Sequence, residues 1–282
     1  MRLNHNMASL NIYREQSKVF EKQSSALGSI SSGLKINKTK DSPNGIAQSE
    51  RLRMQIRGSQ MAARNAQDGI SMLQTAEGAL GTINNMLGRI RELAVQAGSG
   101  SNSPEDKAII QQEISQMLEG IDEAANNMEF NGVKLLAPKV SELSMPIGAN
   151  RGDTIKIELF DLRTSQIEDI DGNILNLDKI GVTAEGGMDK TLHTLDKAIE
   201  KVLSVRSKFG ALENRFESSY KNLTEISDIM QGAESSIRDA DIAEEMTEFA
   251  KGNILMEAGN ALMAQTNRFP QDILRILENM RR

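Results

Sequence analysis

Apolar residues recur at helical spacing over most of the chain. From Leu192 to Ile237 an apolar side chain falls at nearly every third or fourth position, which predicts one helix about 65 to 70 Å long. A second stripe from Ile70 to Ala97 has a mean step of about 3.4 residues, the repeat of a coiled-coil seam. A third helix is predicted from Ser103-Pro104 to Ala124, with Ser as its cap and Pro at its first position.

The middle of the chain changes to a period of two. Apolar residues alternate with polar ones in 143–147 and again in 155–159, on either side of a glycine-containing loop at 148–153. This pattern predicts a β-hairpin. Residues 161–187 are acidic and rich in turn residues, and they are too few for an independent domain, so we interpret them as an elaborated connection.

Both ends carry weaker amphipathic stripes, from Leu3 to Leu34 and from Ile242 to Pro270, separated from the rest by breaks near residues 35–45 and 239–241. Because Asn-Gly and Pro punctuate helices, Asp41-Ser42-Pro43-Asn44-Gly45 is interpreted as part of the first break. A helix with one apolar face needs something to bury it against. We therefore predict a mainly α fold: a long antiparallel helical bundle or coiled coil with a small β-hairpin region, and terminal helices that pair as an inner coiled coil.

The predicted segments are 1–42 (N-terminal helix), 43–237 (bundle core, with the hairpin region at about 138–187) and 238–282 (C-terminal helix).

Composition narrows the chemistry. The chain has no Cys and only two His, which excludes thiolate metal sites, disulfides and Cys-His nucleophiles. The 33 basic and 39 acidic residues give a net charge of −6, which argues against a nucleic-acid binder. We find no phosphate-binding glycine loop or nucleophile elbow, and predict no enzyme activity, no cofactor and no metal site.

Charge differs between the two ends. Residues 1–40 hold seven basic and two acidic groups (+5), and residues 234–282 hold six and nine (−3). Exposed charges are screened beyond about 8 Å at physiological salt, so this difference is expected to orient the terminal helices more than to bind them. Methionine and other apolar residues in these helices exceed what a visible core needs, which indicates a protein partner.

Seven short motifs, taken together and in this order, resemble bacterial flagellin. They are Ser31–Asn37, Asp41–Gly45, Arg89–Gln96, Phe130–Leu136, Gly148–Asn150, Phe209–Phe216 and Gln265–Gln271. The resemblance spans nearly the whole chain. It implies a non-enzymatic subunit that polymerises into the extracellular flagellar filament for motility, with the terminal helices forming an inner tube and folding on assembly. Since only residues 161–187 stand where relatives carry outer domains, it also implies a short form.

The resemblance and the apolar stripes together assign an assembly interface. Its residues are Leu3, Met7, Leu10, Phe20, Leu27, Ile30, Leu34, Ile254, Leu262, Ile273, Leu274 and Leu277. The resemblance further implies export through the flagellar type III apparatus, helped by a chaperone that binds about residues 240–282 through Ile273, Leu274 and Leu277. Other implied partners are further copies of the chain, the hook-filament junction proteins and the filament cap.

The resemblance also places a surface for the host toll-like receptor for flagellin at Arg89, Leu93 and Glu113. From the pattern alone, Leu93 is equally a bundle contact and the other two are solvated charges. Two alternatives to a filament subunit remain: a hook-filament junction protein, and a non-flagellar coiled-coil scaffold or adhesin. A filament subunit forms long filaments by itself, and this ability distinguishes it from both alternatives.

Overall fold

The computed structural model describes residues 6–169, 172–182 and 187–280, apart from the side chains of residues 179, 269, 270, 272–274 and 276–280. Within these residues the chain forms five α-helices, four short strands and one turn of 3₁₀ helix at Leu177–Lys179. The helices are α1 (Met7–Ser32), α2 (Pro43–Ala97), α3 (Pro104–Asn127), α4 (Gly187–Arg238) and α5 (Ile242–Met280). The strands are β1 (Glu129–Phe130), β2 (Val133–Lys134), β3 (Glu142–Pro146) and β4 (Thr154–Glu158). The predicted mainly α fold is confirmed.

The contacts divide the described residues into two compact units. One holds the described residues up to Met54 and those from Ile229 onward, and the other is Gln55–Asp228. Helices α2 and α4 contribute residues to both units. The segment limits expected from the sequence lie instead at the start of α2 and one residue before the end of α4, and they stay a prediction.

The unit of residues 55–228 has a dense apolar core. Its centre is the predicted α2 stripe, in which Leu80, Ile83 and Leu87 have no solvent exposure, and the α4 stripe, in which Phe209 and Phe216 are buried. Charged pairs flank this core: Arg206 binds Glu77 at 2.6 Å and Arg91 binds Asp196 at 2.7 Å. Since residue numbers fall along α4 as they rise along α2, these pairs show that the two helices are antiparallel.

The predicted β-hairpin is confirmed by strands β3 and β4, which pair antiparallel with Leu143 opposite Ile157 and Met145 opposite Ile155. The two isoleucines are fully buried in the core of the unit. The alternation in the sequence therefore reflects one face of a two-stranded sheet packed on helices.

The connection after the hairpin is fastened to the helices by polar side chains. Asp122 on α3 accepts hydrogen bonds from the backbone N–H and the hydroxyl of Thr164, both at 2.7 Å. Gln111 donates to the carbonyl of Ile180 at 3.0 Å and accepts from the N–H of Val182 at 2.9 Å. The described part of 161–187 therefore belongs to this unit, and its Leu162, Ile167 and Leu177 are buried in the core.

Two local features differ from what the sequence suggested. Asn44-Gly45 does not interrupt the helix, because both residues lie inside α2, which begins at Pro43. The hydroxyl of Ser42 accepts a hydrogen bond from the N–H of Gly45 at 3.1 Å. Proline at the first helical position leaves no additional N–H unpaired. At the other end, α5 continues through Pro270 to Met280.

The start of α3 confirms its predicted cap. Ser103 and Asp106 exchange hydrogen bonds in a capping box, with Pro104 at the first helical position. Hydrogen bonds from the backbone N–H and the hydroxyl of Ser103 hold the pKa of Asp106 below its usual value of 3.8. The ionised carboxylate is thus the form that the folded state favours.

We expect the capping contribution of Asp106 to depend on pH. A carboxyl whose pKa is lowered on folding stabilises the protein above its unfolded pKa, and this stabilisation is lost as the pH falls through the lowered value. The urea midpoint of the parent chain should exceed that of Asp106→Asn at about pH 6, and the difference should shrink to near zero by about pH 2. A difference that does not change across this range would contradict the assignment.

Glycine at position 69 is required by the ring of Phe216. A Cβ at Gly69 would lie 2.9 Å from Cε1 of this fully buried ring, whereas a Cβ at Gly78 on the same helix would meet nothing within 4 Å. Gly78→Ala should stabilise the chain by about 0.5 to 1 kcal/mol through helix propensity. Gly69→Ala should lose that gain and cost about 1 to 3 kcal/mol through overpacking. Urea unfolding of the two variants followed by circular dichroism checks this; equal midpoints would contradict it.

Candidate assembly surface of the terminal helices

Helices α1 and α5 pack against each other as an antiparallel pair along a narrow seam. Six of the α1 residues that lose exposure recur at alternating steps of four and three, as in a coiled coil. They are Ile12, Gln16, Val19, Gln23, Ala26 and Ile30. The α5 residues on the facing side follow the same spacing and are Glu245, Phe249, Gly252, Met256, Gly259, Met263 and Thr266.

The seam buries little. Ala26, 3% exposed, is the one fully buried side chain among the described residues of α1. Two of the seam positions on α1 are glutamines and two on α5 are glycines, so apolar layers alternate with polar ones. The helix pair is therefore held by much less apolar burial than the core of residues 55–228.

Directly beside this seam, α1 exposes a row of large apolar side chains seven residues apart. Tyr13 is 60%, Phe20 61% and Leu27 50% exposed. Tyr13 and Phe20 line an open groove of about 480 Å³, whose opposite wall includes Met256 of α5. Large apolar side chains in a contiguous exposed patch are typical of protein–protein contact sites.

The structure describes the side chains of eight predicted interface residues, and six of the eight are exposed. Met7, Leu10, Phe20, Leu27, Ile254 and Leu262 are exposed, while Ile30 and Leu34 are half-buried. Leu3 lies outside the described residues, as do the side chains of Ile273, Leu274 and Leu277.

Of the seam residues, the predicted interface contains only Ile30. The prediction followed the largest apolar side chains, and most of these lie beside the contact and not in it. The signal that could have found the seam is the seven-residue spacing of Gln16 and Gln23 on one helix and of Gly252 and Gly259 on the other. Polar and small residues at heptad spacing carry no apolar signal, although they fit a close helix–helix contact.

The loops next to the terminal helices bind each other through the backbone. Lys35 donates its N–H to the carbonyl of Arg238 at 2.7 Å, and Ala240 donates to the carbonyl of Gly33 at 3.0 Å. Gly33 has a φ of +70°, a conformation that favours glycine and that ends α1. The two predicted breaks thus meet in one joint.

Side-chain charges strengthen this joint. Arg238 is 3.2 Å from a carboxylate oxygen of Glu50, and the hydroxyl of Ser49 donates to Glu234 at 2.9 Å. Between α1 and α5 themselves, no ion pair joins the side chains that the structure describes. Lys18 pairs with Glu15, and Lys251 with Glu248, each within its own helix.

The residues assigned to receptor recognition lie on α2 and α3. Arg89 contacts Glu92 at 3.0 Å and Glu113 at 3.4 Å, and all three side chains are exposed. The hydrogen bond to Glu92, followed by the charge of Glu113, raises the pKa of Arg89. Leu93 is only 2% exposed and packs in the core, so in this fold its side chain is a bundle contact and offers no surface to a receptor.

Residues 6–169, 172–182 and 187–280 contain no helix that is both long enough and apolar enough to cross a membrane. No three His, Asp or Glu side chains of those residues converge as metal ligands do.

These features define a class of protein: a helical structural subunit whose paired terminal helices expose an apolar surface. Comparison with known proteins specifies the class further. Residues 3–141 match the bacterial flagellin N-terminal helical region, and residues 192–277 match the bacterial flagellin C-terminal helical region.

Full-length relatives agree with these matches. A flagellin of Halalkalibacterium halodurans is 39% identical over 277 residues, and a flagellin of Bacillus subtilis is 41% identical over 305 residues. Each alignment covers 98% of this chain and 100% of the relative. A solved structure of a putative flagellar hook-associated protein from Vibrio parahaemolyticus shares the fold, with a TM-score of 0.59 at 14% identity over 71% of this chain and 100% of that one.

The chain belongs to the bacterial flagellin family. It is a structural subunit of the flagellar filament.

Proposed function

We propose that the exposed apolar surfaces of α1 and α5 are the faces through which copies of this chain assemble, and that both helices acquire their stable fold when they do so. The observation that carries the proposal is the row of Tyr13, Phe20 and Leu27, each at least half exposed beside a seam that buries little. Fully burying one large apolar side chain stabilises a protein by about 1.5 to 3 kcal/mol. A row of three therefore provides a substantial gain once another subunit covers it.

Without that gain, the terminal helices are marginal. Isolated helices are weakly stable in water, and helices in proteins depend mainly on the packing of an amphipathic face. Helix α1 has one fully buried side chain among its described residues and contains Gly28, which lowers its helix propensity. Assembly offsets the conformational entropy lost when these segments become ordered.

Contacts between copies need not be symmetric. When one surface meets a different surface on the next subunit, and the rotation does not close, the product is a helical filament. The excess of basic residues in 1–40 and of acidic residues in 234–282 supports such a contact, because opposite ends of neighbouring copies attract.

Export and partners follow from the family resemblance. The chain leaves the cell through the flagellar type III apparatus and functions outside it. A chaperone covers about residues 240–282, with Ile273, Leu274 and Leu277 as its apolar contacts. The filament joins the hook through junction proteins and ends in a cap. The exposed apolar residues of α5, such as Ile254 and Leu262, support the need for a cover before assembly.

Recognition by the host toll-like receptor for flagellin is proposed for the exposed pair of Arg89 and Glu113 on α2 and α3. Leu93 would support this surface from below through packing. The role of the chain is structural and includes no catalysis.

The alternatives are a hook-filament junction protein and a coiled-coil scaffold or adhesin. A junction protein would share the terminal helices yet form no long filament by itself, and a scaffold would form small fixed oligomers. Seeded growth of long filaments from the purified chain supports the filament subunit against both.

Replacing the exposed row should block growth. In Phe20→Ser with Leu27→Ser, the lost apolar burial should raise the critical concentration for seeded polymerisation at least about tenfold, since 1.4 kcal/mol is a factor of ten. Sedimentation and electron microscopy measure this. Hydrogen exchange of residues 195–216 should be unaltered, because these residues form the core of α4.

A matched control is Ile109→Ser, which removes an apolar side chain of similar exposure (64%) from α3. Its critical concentration should stay close to that of the parent chain. If filaments of the double variant grow at the same concentrations as those of the parent chain, the exposed row is not part of the assembly surface.

A further inference from the structure

A ladder of amide side chains connects α1 to α5. Gln16 donates from Nε2 to Oδ1 of Asn260 at 2.5 Å, and Gln23 donates in the same way to Asn253 at 2.5 Å. Asn6 forms a third rung, with Nδ2 3.3 Å from Oδ1 of Asn267. We call these six residues the amide ladder.

The ladder follows the heptad repeat on α5. Asn253, Asn260 and Asn267 are seven residues apart, and each directly follows a seam residue: Gly252, Gly259 or Thr266. The two glycines lie under the two glutamines. A Cβ at Gly252 would be 3.3 Å from Cβ of Gln23, and one at Gly259 would be 3.8 Å from Cδ of Gln16.

The end of the ladder also explains how α5 tolerates a proline. Pro270 has no N–H, so it cannot donate to the carbonyl of Thr266 four residues earlier. Asn6 donates to that carbonyl at 3.1 Å, while its own Oδ1 accepts the N–H of Ser9 and caps α1. One side chain thus caps one helix and satisfies a carbonyl of the other.

The apolar layers of the seam select the register poorly. In the observed register Val19 is level with Met256, and a shift by seven residues would place it level with Met263 or Phe249. Each alternative is again an apolar layer. A coiled-coil seam with repeating apolar layers depends on polar seam residues to specify one register.

The ladder discriminates between these registers. Only the observed one seats both glutamines over both glycines. A shift in one direction moves Gln16 opposite Thr266 in place of a glycine, and a shift in the other moves Gln23 opposite Glu245. Either shift leaves one of the three asparagines of α5 without its amide partner on α1, so one of the three rungs is lost.

We propose that the amide ladder is the register-determining element of the terminal helix pair, so that the exposed apolar rows of α1 and α5 reach neighbouring copies in one fixed alignment. This inference rests on the proposed function. It assigns to Asn6, Gln16, Gln23 and their asparagine partners a positioning role, distinct from the apolar residues that supply the assembly energy. Polar seam positions give specificity and sacrifice stability, which fits helices that become ordered on assembly.

The absence of Cys in the sequence permits a direct test in the full-length chain. Val19→Cys with Met256→Cys reports the observed register, because the two positions lie between the Gln16 and Gln23 layers and leave the ladder intact. Val19→Cys with Met263→Cys, or with Phe249→Cys, reports the two shifted registers. A short thiol–thiol cross-linker is applied to seeded polymer and to soluble chain, and products that migrate at the monomer mass are identified by peptide mass spectrometry.

With the ladder intact, the observed-register cross-link should exceed each shifted one by at least about tenfold. Gln16→Leu with Gln23→Leu should reduce this ratio to about one, because leucine keeps the seam apolar and removes both central rungs. The matched control, Glu15→Leu with Lys22→Leu, changes two exposed α1 residues at the same spacing and leaves net charge unaltered, and its ratio should stay parental. Gln16→Asn with Asn260→Gln, which exchanges the two amides, should also keep the ratio high.

If the ratio of observed-register to shifted-register cross-links is unchanged in polymer of the leucine variant, the amide ladder does not determine the register. The backbone joint at Leu34 and Asp239 would then determine it. An equal loss in the Glu15/Lys22 control would also overturn it, since the effect would then be one of added leucine. Failure of the parent chain to polymerise would instead count against the proposed function.

Discussion

The narrow seam between α1 and α5 determines which apolar side chains of the terminal helices stay exposed. Its polar layers and glycines let the two helices approach closely but bury few apolar atoms. The large apolar residues of the same helices consequently stay outside the contact, where Phe20 and Ile254 are more than 60% exposed. A helix pair built in this way is incomplete in its burial, and we propose that another protein surface completes it.

The unit of residues 55–228, unlike the α1–α5 pair, buries many of its large apolar side chains within the chain. Helices α2, α3 and α4 direct their apolar stripes into one shared core, and buried residues of the hairpin and the connection close it. Polar side chains such as Asp122 and Gln111 pair with backbone groups of the connection and leave them satisfied. This unit therefore buries its apolar core within one chain.

The sequence predicted those parts of the fold in which apolar periodicity and packing coincide. The stripes of α2 and α4, the Ser103 cap and the alternation of the hairpin each correspond to one local physical rule, and the structure confirms them. The seam escaped prediction because its key residues are glutamine and glycine, for which a periodic pattern has no apolar signal. The passage of α5 through Pro270 could not be foreseen either, since the group that compensates for the missing N–H, Asn6, is 264 positions away in the chain. Leu93 shows the converse: a family motif assigned it to a receptor surface, the apolar pattern also allowed a bundle contact, and the packing buries its side chain.

Hydrogen exchange of the soluble chain and of the seeded filament tests most directly whether the terminal helices fold on assembly. In the soluble chain, the amides of 7–32 and 242–268 should exchange at nearly unprotected rates, while those of 195–216 stay protected. In the filament, the terminal amides should become protected by at least about a hundredfold, equivalent to about 2.7 kcal/mol. Terminal helices as protected in the soluble chain as residues 195–216 would contradict the account.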